Sequence, residues 1–174
     1  VLGRGIITAS GGNHGTAVAY AGHASGAKTV VYLPERAAKA KINTLKNWGA
    51  EVVLTGDVWD DANAAALERA GRDSLTYIHP FADPTVITGQ ATLAQEMLKQ
   101  SSQIDVIVAG IGGGGLISGV ALAAKAIKPA IRVIGVEPIG APTLKNSIDT
   151  GVVAALETIE TDAITLAPKK SAEI

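Results

Sequence analysis

An apolar run (Ile6, Ile7, Thr8, Ala9) stops at Ser10, Gly11 and Gly12, and Asn13, His14 and Gly15 then open an alanine-rich stretch. The pattern is a strand, a tight glycine turn and a helix start, and it constrains the fold more than any other stretch of the chain. Such a turn aims backbone N–H groups and the positive end of a helix at one point, which makes an anion site. Gly11 and Gly12 let backbone approach a ligand with no Cβ in the way. The arrangement recurs at residues 109–116, where Gly110 and then Gly112, Gly113, Gly114 and Gly115 follow a second apolar run. Two anion-binding turns suit a ligand with two anionic ends.

The remaining strand signals leave room for a helix between each pair. Strands are expected at 5–9, 29–33, 51–55, 75–78, 105–110 and 132–136, with helices at 15–24, 37–48, 60–71, 86–100 and 116–127. The VIVAG and VIGV runs are near-continuously apolar, as in parallel strands covered on both faces. Alternating strands and helices with short connections specify an α/β fold with parallel sheet and right-handed crossovers. Pro80 and Pro84 disfavour both helix and strand, so a seam is placed at 79–84, with a small lobe at 1–83 and a partial large lobe at 84–174. Residues 151–174 hold one candidate strand, 163–166, and close in a tail from Pro168. Val1 to Arg4 run straight into a strand, so the chain is expected to begin within a domain.

At 174 residues and 47% hydrophobic content there is ample material for a core. The net charge of −1, with acids and bases interspersed, argues against nucleic acid or a membrane surface as partner. Zero cysteines exclude a disulfide framework and a thiolate zinc site, and fit a cytoplasmic protein. No apolar run reaches the ~18 residues of a membrane span, and no leader opens the chain. Neither a Ser-His-Asp set nor a His or carboxylate cluster with metal spacing is present, so no metal site is expected. Arg36, Lys39, Lys41 and Lys46 read as a solvated helix face, and Trp48 and Trp59 as indoles at lobe surfaces.

Each motif has a bland reading beside the functional one. Residues 112–115 are either a nest of N–H donors around a phosphate or a loop needing φ > 0 at one or two positions. Four consecutive glycines favour the phosphate, since each costs up to ~1 kcal/mol relative to alanine. Asn13 either caps a helix or contacts a ligand. His14 is either a general base or a structural hydrogen bonder, and His23 and His79 read as structural. Gly110, Gly112 and Gly115 also satisfy a dinucleotide fingerprint, with Glu137 after the next strand as ribose ligand. That supplies a second hypothesis, the nucleotide (NAD)-binding lobe of an oxidoreductase.

The run Ala9 to Gly15, followed by a strand ending Tyr32-Leu33-Pro34, resembles the threonine/serine dehydratase branch of the fold-type II pyridoxal-phosphate enzymes. So do Gly49-Ala50-Glu51-Val52-Val53, His79-Pro80-Phe81 through Gly89-Gln90, and residues 112–115 with Gly135-Val136-Glu137-Pro138. The likeness covers residues 5–151 in unbroken order, and His14, where sulfhydrylase relatives carry Thr, favours the dehydratase branch. It implies two lobes of three-layer αβα parallel sheet, tryptophan-synthase-β-like and incomplete at both ends. It further implies that Asn13 hydrogen-bonds the 3-oxygen of the pyridoxal ring and that Gly112, Gly113, Gly114 and Gly115 cradle its phosphate. Ser10, Gly11, Gly12 and His14 would hold the substrate carboxylate. Related racemases carry a serine proton carrier at the Gly11 position, so the glycine points to elimination. They also bind a cation at positions matching Glu137, Ala141 and Thr143, where Thr143 replaces an expected carboxylate.

The resemblance places the family's cofactor-joining lysine upstream of the Asn-His turn, and no lysine here sits in such a context, so no catalytic residue is assigned. The sequence thus reads as the middle of a pyridoxal 5'-phosphate lyase that turns L-threonine or L-serine into a 2-oxo acid and ammonia, expected to be inactive as this chain alone. A third hypothesis is a non-catalytic assembly module. Exposed strand edges and apolar surface would favour a homo-oligomer.

Overall fold

The computed structural model describes residues 2–163 and 168–171. The chain divides into two compact units, Val1–Pro80 and Phe81–Ile174.

In the first unit a short 3-10 turn, Leu2–Arg4, leads into β1, Ile6–Ala9. There follow α1 (Asn13–Ser25), β2 (Thr29–Leu33), α2 (Lys39–Asn47), β3 (Glu51–Leu54), α3 (Trp59–Arg72) and β4 (Thr76–Tyr77). The four strands form one parallel sheet in the order β3-β2-β1-β4, with Ile6 paired to Thr29 and to Thr76, and Val30 to Glu51. Every residue of β1 and β2 is buried, which is why these runs are apolar without alternation. On one face Ala62, Ala66 and Ala70 of α3, spaced one helical turn apart, pack on Ile7, Ala9, Val30 and Tyr32. On the other face Ala19 of α1 and Leu45 of α2 pack on Val31 and Leu33. Full burial of Ile7, Leu33 and Leu45 contributes about 1.5–3 kcal/mol each relative to exposure. This unit has the three layers the sequence implied.

The second unit runs α4 (Pro84–Gln100), β5 (Val106–Gly110), α5 (Gly115–Ile127), β6 (Arg132–Val136) and α6 (Thr143–Thr150). β5 and β6 pair in parallel, Val106 to Arg132 through Gly110 to Val136. Helices α4 and α5 cover one face, where Ala94, Leu98, Val120 and Ala124 surround Ile107 and Ile131. Val108, Ile134 and Val136 are exposed, so the described residues form two layers here.

Two details differ from the sequence expectation. Helix α4 begins at Pro84, because proline is tolerated at the first helical position, and Asp83 caps it by accepting the Thr85 N–H at 2.7 Å. Helix α6 was not expected; the prolines and glycine of 138–142 hid its start, while Gly151 at φ 71° ends it. The candidate strand 163–166 lies, from residue 164 on, outside the described residues. Among the described residues, no helix is long and apolar enough to cross a membrane.

Candidate cofactor and substrate site

The first turn leaves the buried end of β1. Ser10 is buried, its N–H donates to the Tyr32 carbonyl at 3.1 Å, and its Oγ accepts the Gly12 N–H at 3.2 Å. Gly12 is the N-cap of α1, and no side chain caps the helix. Asn13 is therefore the first helical residue rather than the cap, and it is exposed. The capping role considered for this asparagine does not hold. The α1 terminus keeps the N–H groups that a side-chain cap would otherwise satisfy. A Cβ built on Gly11 would meet only Leu33 Cδ2, at 3.7 Å, whereas one on Gly15 would lie 2.3 Å from the Ser10 carbonyl oxygen. Gly15 is required by packing and Gly11 is not.

His14 Nε2 lies 3.1 Å from Thr8 Oγ1 and 3.3 Å from the Ile78 carbonyl oxygen, while the Thr8 hydroxyl donates to that same oxygen at 2.7 Å. The carbonyl can only accept, so the tautomer with its proton on Nε2 is the one that makes all three of these contacts hydrogen bonds. Nearby, Tyr77 donates its hydroxyl to Asn63 Oδ1, and burial raises the phenol's pKa above its ordinary value.

The second turn joins β5 to α5. Gly114 is its N-cap in the left-handed region, φ 97°, and no side chain caps this helix either. Gly113 and Gly115 are glycines for a different reason. A Cβ on Gly113 would stand 2.0 Å from Phe81 Cγ, and one on Gly115 2.7 Å from Phe81 Cα. Phe81 thus packs under the loop, and packing or conformation accounts for three of the four glycines. The bland reading of the tetraglycine run has more substance than sequence alone suggested. Its N–H groups nonetheless sit at an uncapped helix start, the donor set a phosphate needs.

Glu137 is occupied. Its carboxylate accepts the N–H of Leu144 at 2.7 Å and of Lys145 at 2.8 Å, closing the start of α6. Neither the ribose role nor the cation role considered for it matches those bonds. Thr143, fully buried, donates to the Pro168 carbonyl. Among the described residues, no group of three or more His, Cys, Asp or Glu could hold a metal ion. A cavity of about 720 Å³ in the second unit is lined by Ile111, Ile117, Gly135, Glu137 and residues of α6, and by none of Gly112 to Gly115. Its walls are mostly apolar, unlike a phosphate site. Sequence reasoning missed the contacts of Thr8 with His14 and of Phe81 with the tetraglycine loop; both residues sit in a motif, but nothing in their type marks a contact.

Residues 2–173 match the family of pyridoxal-phosphate dependent enzymes. The chain belongs to that family. It is similar to the L-threonine ammonia-lyase of Geobacter sulfurreducens, 39% identical over 169 residues, covering 97% of this chain and 42% of that protein. Among solved structures it is similar to the processed form of threonine deaminase isoform 2 from Solanum lycopersicum (TM-score 0.92, 40% identity, 99% of this chain and 47% of the other). Maize serine racemase is similar at TM-score 0.88 and 33% identity, with 98% and 52% covered. The chain therefore spans about half, or less, of the proteins it matches. The fold-type II resemblance is borne out, and the dinucleotide-binding alternative gives way to it.

Proposed function

We propose that this chain carries the phosphate-gripping and carboxylate-gripping turns of a threonine/serine ammonia-lyase. The observation that supports it is the pair of helices, α1 and α5, that start behind glycine N-caps with no side-chain cap. In this reading the N–H groups of Gly112, Gly113, Gly114 and Gly115 bind the phosphate of pyridoxal 5'-phosphate. Asn13, exposed at the first turn of α1, offers its amide to the ring's 3-oxygen. Ser10, Gly11, Gly12 and His14 orient the carboxylate of L-threonine or L-serine. The cofactor, when bound, supplies an electron sink for the bond broken at the amino acid's Cα. Gly11 has no side chain to carry a proton, which suits elimination rather than racemisation.

An amide-resolved NMR titration of the chain with pyridoxal 5'-phosphate tests this. Saturable shifts at residues 112–115 and at the Asn13 side chain are expected, with none from NAD. Shifts confined to other residues would refute the assignment. We also propose homo-oligomerisation, supported by the exposure of Val108, Leu122, Ile127 and Val136. Light scattering should then give a mass above that of one chain, and a monodisperse monomer would count against it.

A further inference from the structure

Trp59 was expected merely to pack at a surface, yet its indole Nε1–H donates to the Ala9 carbonyl oxygen at 2.7 Å. Ala9 is the last residue of β1, and the next N–H, that of Ser10, donates to Tyr32 at 3.1 Å. The peptide joining β1 to the Ser10-Gly11-Gly12 turn is thus held at both ends, by α3 on its oxygen and by β2 on its nitrogen. From that peptide the Ser10 side chain sets out to meet the Gly12 N–H. The structure assigns Trp59 as a positioning residue for the turn, and the assignment rests on the reading of that turn as a carboxylate site.

The local sequence explains how the indole reaches so far. Gly56, at φ 71°, turns the chain where a Cβ would lie 2.2 Å from Asp61 Cβ. Asp61 Oδ2 then accepts the N–H groups of Asp57 at 3.0 Å and Val58 at 3.2 Å, which closes the start of α3. Trp59 is the first residue of that helix and is held there before its side chain extends. Its ring is also braced by His79, edge-on with centroids 6.3 Å apart, and His79 in turn meets Tyr77 at 5.8 Å. A buried carbonyl loses a partner if the indole N–H is removed, so the peptide gains freedom to rotate and the N–H groups beyond it lose their common aim.

Two variants separate the donor from the bulk. Trp59→Phe shortens the ring and removes the N–H. Replacing Trp59 by benzothienylalanine keeps the fused rings and lacks only the N–H, so a folding defect from lost volume does not arise. Hydrogen exchange at the amides of Ser10 and Gly12 should quicken roughly three- to tenfold in both, as expected for one lost hydrogen bond, with Val30 and Val31 of β2 unchanged. Trp48→Phe, which removes an indole set edge-on to Tyr20 away from the turn's hydrogen bonds, should leave the turn as it was. L-threonine added to the wild-type chain should shift Gly11 and Gly12, and the variants should need several-fold more. Unchanged exchange in the turn, or exchange quickened equally through β2, would overturn the assignment. If the wild type does not respond to L-threonine, the carboxylate reading fails while the exchange data still decide the role of Trp59.

Discussion

Individual glycines in this chain serve different masters, and substitution should separate them. Gly113→Ala would push a methyl group to 2.0 Å from the Phe81 ring, so either ring or loop must shift. A loss of about 1–3 kcal/mol in urea unfolding is expected, the range for overpacking a closed site. Gly11→Ala meets nothing nearer than 3.7 Å and should change stability by less than about 1 kcal/mol. On the proposed reading it should still weaken the response of the turn to L-threonine, because a Cβ stands where the ligand approaches. The motif residues themselves are legible in sequence, since glycines between an apolar run and a helix start mark a turn where a Cβ is not tolerated or not wanted. Phe81 and Trp59 are not, because a large aromatic packs almost anywhere and only the folded chain shows which backbone it touches.

At the scale of elements, side chains that close helix starts decide where α3, α4 and α6 begin. Glu137→Gln keeps the shape of the α6 cap and removes its charge, while Glu137→Ala removes the acceptor altogether. The alanine variant should lose about 0.5–2 kcal/mol, and the glutamine variant less, in thermal or urea unfolding. Edge strand β3 is tied to α3 by Arg69, which grips both oxygens of Glu51 at 2.5 and 3.0 Å and also reaches Asp73. The hydrogen bond from Arg69 holds the Glu51 carboxyl below its ordinary range. A carboxyl lowered in the folded state stabilises above its unfolded pKa, and that contribution disappears as pH falls through the lowered value. Glu51→Gln should therefore cost under about 1 kcal/mol near neutrality, the pair being partly exposed, and the difference from wild type should vanish in acid. The strands β1 and β2 are readable because burial on both faces leaves an unbroken apolar run, and β5 and β6 carry the same apolar signal although Val108, Ile134 and Val136 are exposed. Helix α6 is not, because its cap comes from Glu137, outside the helix itself.

Across the whole molecule the two units differ in how completely they are covered. The first has helices on both faces of its sheet, so a chain ending at Pro80 should give dispersed NMR amide signals and a cooperative unfolding transition. The second leaves Val108, Ile134 and Val136 exposed on the face opposite α4 and α5, and its two strands have few partners. The 174-residue chain should accordingly bind a hydrophobic dye, and Val108→Lys should reduce the signal without lowering stability by more than about 1 kcal/mol. An α/β chain with parallel strands and a glycine turn after β1 and after β5 follows from sequence alone, because period, burial and turn chemistry are local properties of the residues. Which glycines yield to packing, which helix takes up the Glu137 carboxylate and which indole holds the Ala9 carbonyl were settled only by tertiary structure. The indole contact spans 50 positions along the chain and the Glu137 contacts seven and eight, and neither kind of bond leaves a periodic trace in its partners.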